Sequence, residues 1–236
     1  MRNIKIYLSL FVLLLIVSCA DVEDFQQDPN RATEVTPDLL LTNLETAAFN
    51  NVDLNAALAS RHMTFIDDKS AYQYYNWQRE DFAYYDDLKN VRKMTEEAKR
   101  LNLPVYETLA KFFNSYFYIE MTRRFGDIPF TNAIQAEEGT FKPEYNSQPV
   151  IYKAVLDSLK FASQELSLNN GVIRGDIIYD GDKLKWRKLI NSYRLRVLVS
   201  LSNKVDNSEI DIIGRFSDII NSPDENPLFE ICRRPR

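Results

Sequence analysis

One stretch, from Pro104 to Phe130, constrains the fold more than any other part of the chain: PVYETLAKFFNSYFYIEMTRRFGDIPF. Its apolar residues recur at steps of three and four, the spacing of one helix face, and further aromatic residues widen this face toward a second one. Both ends of the helix are marked by characteristic residues. A proline begins it, two arginines lie near its end, and a glycine and a proline then stop it. The sequence therefore predicts a central helix with neighbours on two sides.

Other segments with helical spacing surround this one. The predicted helices begin at Thr36, near Val52, at Asp86, after Ser147, after a cap at Asp182 and after a Ser208 to Asp211 capping box. The linker between the 86–102 helix and the central helix is so short that the two must pair antiparallel. The chain has only six glycines, which also favours helices over a β-sandwich. The predicted fold class is mainly α, with irregular tetratricopeptide-like helical hairpins and long loops.

Several details of burial follow from these patterns. We expect Phe65 to extend the second helix, Leu101 to lie on the apolar face of the 86–102 helix, and Arg194 to point away from the core. Few apolar residues interrupt the polar crossing between the central helix and the next one. We expect Phe141, Pro143 and Tyr145 to anchor this crossing.

The first nineteen residues have the anatomy of a secretory signal. A basic start precedes an apolar run that is too short for a comfortable membrane span, and Ser18 stands directly before Cys19. A small residue before a cysteine at this place resembles a bacterial lipobox, so we expect a signal peptide at 1–18 and a lipidated Cys19. The alternative is an ordinary signal with a chance cysteine. Residues 19–35 then form the lipidated residue and a flexible polar tether.

Charge and rare residues exclude several classes of protein. Loss of Arg2 and Lys5 with the signal takes the net charge from −5 to −7, which opposes nucleic acid as a partner. With Cys19 lipidated, Cys232 has no partner for an internal disulfide, so the fold depends on its core. His62 is the single histidine of the chain, so no histidine pair can build a zinc site. We predict neither a cofactor nor a metal.

The segment 66–85 interrupts the helical period and is crowded with aromatic and polar side chains. Such a mixture suits a sugar site, because pyranose faces stack on aromatic rings while hydroxyl groups need fixed donors and acceptors. We predict that Trp77 is the main ligand contact and that Tyr75, Asn76 and Arg79 supply hydrogen bonds from the same loop. The alternative is that these rings close the edge of the core.

Two groups of acidic residues are candidates, one for catalysis and one for calcium binding. The candidates for glycoside hydrolysis are the carboxylates Glu80, Asp81, Asp86 and Asp87. That reaction needs two carboxyl groups at a defined separation across a cleft, whereas adjacent residues point in different directions. We therefore predict no enzyme. The spacing of Asp176, Asp180 and Asp182 does not match a calcium-binding EF-hand loop, and a turn with a helix cap accounts for the last two.

Three ordered motifs resemble the SusD/RagB family, the glycan-capturing surface lipoproteins of Bacteroidetes. The first is the turn RFGDIPF after an aromatic helix, and the second is the proline-led helix after Ser147. The third runs from Gly175 to Asn203 and is similar to the family block D-x-x-KW-x-K-x-x-NSL-x-LR, with Tyr193 where leucine is usual. The resemblance covers residues 36–230 and implies the N-terminal part of a SusD-like α/α superhelix.

The resemblance also implies a function. Family members are anchored by lipid to the outer membrane, are exposed on the cell surface, and hold oligosaccharide or another nutrient for a SusC-like TonB-dependent transporter. A helical protein-protein adaptor is the alternative, because tetratricopeptide-like hairpins often bind proteins, and a glycoside hydrolase is a third class. Residues 231–236 depart from the family pattern, and we expect them to be an aberrant basic tail on a fold that is incomplete at its C-terminus.

Overall fold

The computed structural model describes residues 35–49, 54–66, 71–74, 81–168, 170–204 and 210–221. The predicted signal peptide, Cys19 and the tail at 231–236 lie outside these ranges. The described helices belong to a compact unit that begins at Thr36. In this part of the chain, no helix combines the length and the apolar character needed to cross a bilayer.

Helices supply nearly all the regular structure of the described residues. In chain order they are α1 (Pro37–Phe49), α2 (Leu54–Ala59), a 3-10 turn (Ala71–Tyr74), α3 (Tyr84–Arg100), α4 (Pro104–Phe125), α5 (Gln148–Leu168), α6 (Lys183–Leu201) and α7 (Ile212–Ile220). Two short antiparallel strands lie between α4 and α5, namely β1 (Ile128–Pro129) and β2 (Tyr145–Asn146). The prediction of a mainly α fold is confirmed.

Helix α4 is the centre of the fold, as its sequence predicts. It packs against α3 and α5, and α1 contacts it as well. Pro104 lies in its first turn, and Gly126, with φ of 79°, ends it by donating its N–H to the Thr122 carbonyl. The rings of Phe112 and Phe113 are buried and meet each other edge to face at 5.2 Å. A helix buried on several faces holds the neighbouring helices in place.

Helices α3 and α5 each bury an apolar stripe. On α5 every predicted stripe residue is buried: Ile151, Val155, Leu159, Ala162 and Leu166. On α3 the predicted Leu88, Val91 and Ala98 are buried, and Met94 completes the stripe with no exposed surface. The expectation for Leu101 was wrong, because the helix ends at Arg100 and the Leu101 side chain is 40% exposed.

Helix α2 is shorter than its apolar pattern predicts. Leu58 is buried, but the helix ends at Ala59, and Phe65 lies beyond it with 41% exposure. The residue Arg61 has a positive φ of 60°, and the N–H groups of the next two residues both bond the Ala57 carbonyl. This closure turns the chain out of the helix, which is why Phe65 does not extend its stripe.

Helix α6 begins where the sequence predicts but buries an unexpected charge. Asp182 caps it by accepting the N–H groups of Leu184 and Lys185 at 3.0 and 3.1 Å. Arg194, predicted to point outward, is only 2% exposed, and its guanidinium bonds Asn191 Oδ1 at 2.9 Å. Helix α7 covers this face of α6, so the arginine is buried between them.

Helix α7 begins later than the predicted capping box implies. Its cap is Asp211, whose carboxylate accepts the N–H of Gly214 at 3.1 Å, while Ser208 lies outside the described residues. Asp218 of α7 faces Arg194 at 3.7 Å and Lys160 at 3.0 Å. These ion pairs join α7 to both α6 and α5.

Candidate functional site

The turn after α4 is fastened to the start of α5. Thr122 Oγ1 donates to the Gly126 carbonyl at 2.6 Å, and the Gln148 side chain donates to the Thr122 carbonyl at 2.7 Å. Asp127 accepts the backbone N–H of Gln148 at 2.9 Å, which satisfies one of the open donors at the N-terminus of α5. The aspartate of the GD-x-P turn therefore has a structural role.

The predicted ligand residues Trp77, Tyr75, Asn76 and Arg79 lie outside the described residues, but both flanks of their segment are described. On the N-terminal side of these four residues, the 3-10 turn ends at Tyr74, whose side chain is 67% exposed. On their C-terminal side, Phe82 packs on Phe125 at the end of α4, with ring centroids 4.3 Å apart. The C-terminal part of the aromatic segment 66–85 is thus fixed beside the GD-x-P turn.

Two further aromatic residues of this segment belong to the core edge. Tyr84 packs on Phe117 at 5.3 Å and lies 5.5 Å from the Arg124 guanidinium. Tyr85 donates its hydroxyl to the Pro129 carbonyl, and burial raises the pKa of Tyr85 to about 12. For these two rings the core-edge alternative is confirmed.

The candidate catalytic carboxylates have local partners. Asp81 accepts the N–H of Ala83 at 3.2 Å, and Asp86 pairs with Lys89 at 2.7 Å. Burial, with a further contribution from the Asp86 charge, raises the pKa of Asp87. Glu80 lies outside the described residues. Turn formation and a helix ion pair account for Asp81 and Asp86.

A buried carboxylate organises the loop before α6. Asp176 accepts the N–H groups of Ile178, Tyr179 and Gly181 at 2.9, 2.9 and 2.8 Å, and the indole N–H of Trp186 at 2.7 Å. Burial by itself would raise the pKa of Asp176, but the hydrogen bonds, led by the one from Tyr179, hold that pKa below its usual value. Four donors fill the roughly four acceptor positions of a carboxylate.

The three aspartates that were candidate calcium ligands thus have other roles. Asp176 is saturated by N–H donors, Asp182 caps α6, and Asp180 lies in the intervening turn with φ of 53°. Among the residues that the structure describes, no three His, Cys, Asp or Glu side chains are grouped so that they could hold a metal ion.

The crossing between β1 and β2 is anchored differently from the prediction. Phe141 and Tyr145 are 79% and 64% exposed, so the expectation that they anchor it was wrong. Phe130 packs edge to face on Tyr118 at 4.7 Å, and Ile134 is partly buried against the core. The anchors lie at the start of the crossing because that part folds back over α3 and α4.

This folding back creates a groove of about 770 Å³ between α3, α4 and residues 130–138. Arg92 of α3 spans it, donating to the carbonyl of Ile134 and to the carboxylates of Glu96 and Glu138 at 2.9 and 2.7 Å. No motif of the sequence indicated this groove. The spacing of Arg92 and Glu96 signals a helix ion pair, but no local pattern signals the contact with the crossing.

Paired helices around an aromatic helix that ends in a GD-x-P turn define a class of helical-hairpin proteins, and comparison with known proteins identifies it. The model of the SusD-like family, described as starch-binding and associating with the outer membrane, matches residues 29–233. The chain belongs to the SusD-like family, so the resemblance noted from the motifs is confirmed. None of the curated proteins compared with the chain matches it.

Solved structures give the same family. A SusD homologue from Bacteroides fragilis NCTC 9343 is 43% identical, with a TM-score of 0.71 over 80% of this chain and 41% of its own. A protein of Bacteroides vulgatus ATCC 8482, provisionally assigned to the outer membrane and to nutrient binding, is 40% identical, with a TM-score of 0.69 over 79% and 41%. A second SusD homologue from Bacteroides fragilis NCTC 9343 is 30% identical, with a TM-score of 0.70 over 80% and 41%. The chain spans about two fifths of the length of these relatives.

Proposed function

We propose that this protein is a non-catalytic, oligosaccharide-binding lipoprotein of the outer membrane. The observation that carries the proposal is the family match over residues 29–233, since that family is described as starch-binding and associating with the outer membrane. The Bacteroides vulgatus relative, provisionally assigned to the outer membrane and to nutrient binding, supports the same class.

The binding residues proposed are those of the aromatic segment. Trp77 stacks on a sugar ring, while Tyr75, Asn76 and Arg79 bind its hydroxyl groups. Support comes from the residues that follow these four, where Phe82 packs on α4 and fixes the position of the backbone. A fixed flank reduces the conformational entropy that ligand binding must overcome.

The protein also needs a membrane anchor and a transporter that receives its ligand. Lipid on Cys19 holds the protein on the cell surface beside a SusC-like TonB-dependent transporter, which receives the captured sugar. Such tethering raises the local concentration of ligand at the transporter without any bond being broken. The structural roles of Asp81 and Asp86 support binding over hydrolysis.

A glycan array followed by product analysis tests the proposal. We expect the recombinant protein from residue 20 onward to bind at least one oligosaccharide and to leave it intact after long incubation. The same protein after thermal unfolding is the control for nonspecific adhesion. Shortened oligosaccharides would indicate a hydrolase, and a folded protein that binds no glycan would favour the adaptor.

A further inference from the structure

The groove between α3, α4 and residues 130–138 is large enough to hold a small ligand. Its volume of about 770 Å³ lies in the usual range for small-molecule pockets. We propose that this groove binds a short, uncharged oligosaccharide, in addition to the aromatic segment. The assignment of a sugar rests on the proposed function, whereas the site itself rests on the geometry that follows.

The charges that line the groove balance each other. Its basic residues are Arg92, Lys99 and Lys111, and its acidic residues are Glu96, Glu107 and Glu138. At any position in the groove, a charged ligand would lie within a few ångströms of at least one side chain of the same charge. Repulsion between like charges at that distance is unfavourable. An uncharged ligand rich in hydroxyl groups can instead use both the cationic donors and the carboxylate acceptors.

Arg92 links the two walls of the groove. Arg92 contacts α3 through Glu96 and the crossing through Ile134 and Glu138, so its guanidinium ties the two walls together. The planar guanidinium makes these contacts in directions set by its own geometry. Such a wall needs little rearrangement when a ligand enters, which favours binding.

The groove offers both apolar and polar surface, as a sugar requires. The apolar surface comes from Phe130, Ala133 and Ile134, which line the groove and are half-buried. At the rim, Asn114 of α4 and Gln135 of the crossing are half-buried and carry amide groups that can donate and accept. A sugar ring has an apolar face and a polar edge, and this groove offers a surface for each.

Two variants test the groove without altering Arg92. Asn114→Trp places a bulky ring in the groove, and Gln135→Ala removes one amide from its rim. Gln164→Trp is the matched control, because Gln164 is exposed on α5 and does not line the groove. Calorimetric titration uses the oligosaccharide bound best on the array, with maltoheptaose added as a fixed probe because the family is described as starch-binding. Thermal melts verify that each variant folds.

We expect Asn114→Trp to weaken binding by at least about tenfold and Gln135→Ala by about fivefold, which are the effects of blocking a site and of losing one hydrogen bond. Gln164→Trp should bind as the wild type does. In a second readout, NMR of the labelled protein, the sugar should shift the side-chain amide signals of Asn114 and Gln135.

The outcomes separate this inference from the proposed function. If both groove variants bind sugar as the wild type does and the amide signals do not shift, the groove is rejected as a binding site. The proposed function is not affected by that result. A wild-type protein that binds no sugar at all rejects the function and the groove's ligand together. Glucuronate-containing oligosaccharides that bind the groove more tightly than their neutral analogues would refute the argument from balanced charge.

Discussion

Trp186 of α6 donates its indole N–H to the carboxylate of Asp176, 2.7 Å away and inside the core. The next residue, Ile177, donates its N–H to Glu45 of α1 at 2.8 Å. One short loop therefore joins the first described helix to α6 through two buried carboxyl groups. In this chain Gly175, Asp176 and Trp186 all take part in this junction.

Trp186→Phe should destabilise the fold by about 2 to 4 kcal/mol, since it removes a hydrogen bond to a charged group and leaves a small cavity. Urea unfolding of the variant and the wild type measures this difference. Tyr145→Phe is the control, because Tyr145 is 64% exposed and should change stability little. Equal stability of Trp186→Phe and the wild type would show that the buried bond contributes nothing.

Glu45 should make stability fall as pH rises. Burial, reinforced by the neighbouring Asp176 charge and opposed by the Ile177 N–H, raises the pKa of Glu45 from 4.5 to about 8. The folded state then binds more protons than the unfolded state between these two values. Stability should therefore decline across that window, by up to ~1.4 kcal/mol per pH unit.

Glu45→Gln provides the measurement for this pH dependence. The amide oxygen can still accept the Ile177 N–H, but the side chain has no proton to lose. Urea unfolding at several pH values should give the variant a flatter profile between pH 4.5 and about 8, and a higher stability than the wild type at the upper end. Identical slopes for both proteins would refute the buried, protonated Glu45.

Gly175→Ala should disrupt the contact between the loop and α1. A Cβ at this position would lie 2.2 Å from the Asp38 backbone oxygen, and the φ of 75° is also unfavourable for alanine. The expected loss is about 2 to 4 kcal/mol from strain and overpacking together. In Gly139→Ala, with φ of 89° and no atom within 4 Å, only the backbone strain applies. Thermal melts measure the loss of stability of both variants. An equal loss in Gly139→Ala and Gly175→Ala would contradict the steric argument.

Trp77→Ala distinguishes a ligand residue from a core residue. If Trp77 stacks on the sugar as proposed, the variant should lose about 1 to 3 kcal/mol of glycan affinity with little change in stability. If Trp77 is instead a core residue, the variant should lose about 3 to 5 kcal/mol of stability. Calorimetric titration with the glycan bound by the wild type, beside a thermal melt, separates the two. Unchanged affinity with a collapsed melting temperature would reject the ligand role.

Cys19→Ser should abolish lipid attachment, because the thioether requires the thiol. Each buried methylene of an acyl chain contributes ~0.8 kcal/mol to membrane binding, so the variant should also leave the membrane fraction. Metabolic labelling with a tagged fatty acid measures this directly. Equal label on both proteins would reject Cys19 as the lipidated residue.

Local features of this chain were predictable from its sequence. Pro104 and Gly126 gave the bounds of α4, the spacing of five apolar residues gave the buried face of α5, and Asp182 gave the start of α6. Each of these features depends on residues within one or two helical turns of it. The physical cause of the feature is therefore contained in the local sequence pattern. The ordered motifs also gave the family.

The tertiary structure decided which surfaces meet. Arg92 reaches Ile134 across 42 positions and Glu45 reaches Ile177 across 132, and no local pattern reports either contact. Helical periodicity placed Arg194 on an outward face, but the packing of α7 buried it. Exposure and pKa depend on what lies within a few ångströms in space, so the groove and the raised pKa of Glu45 both result from contacts between segments that are far apart in the sequence.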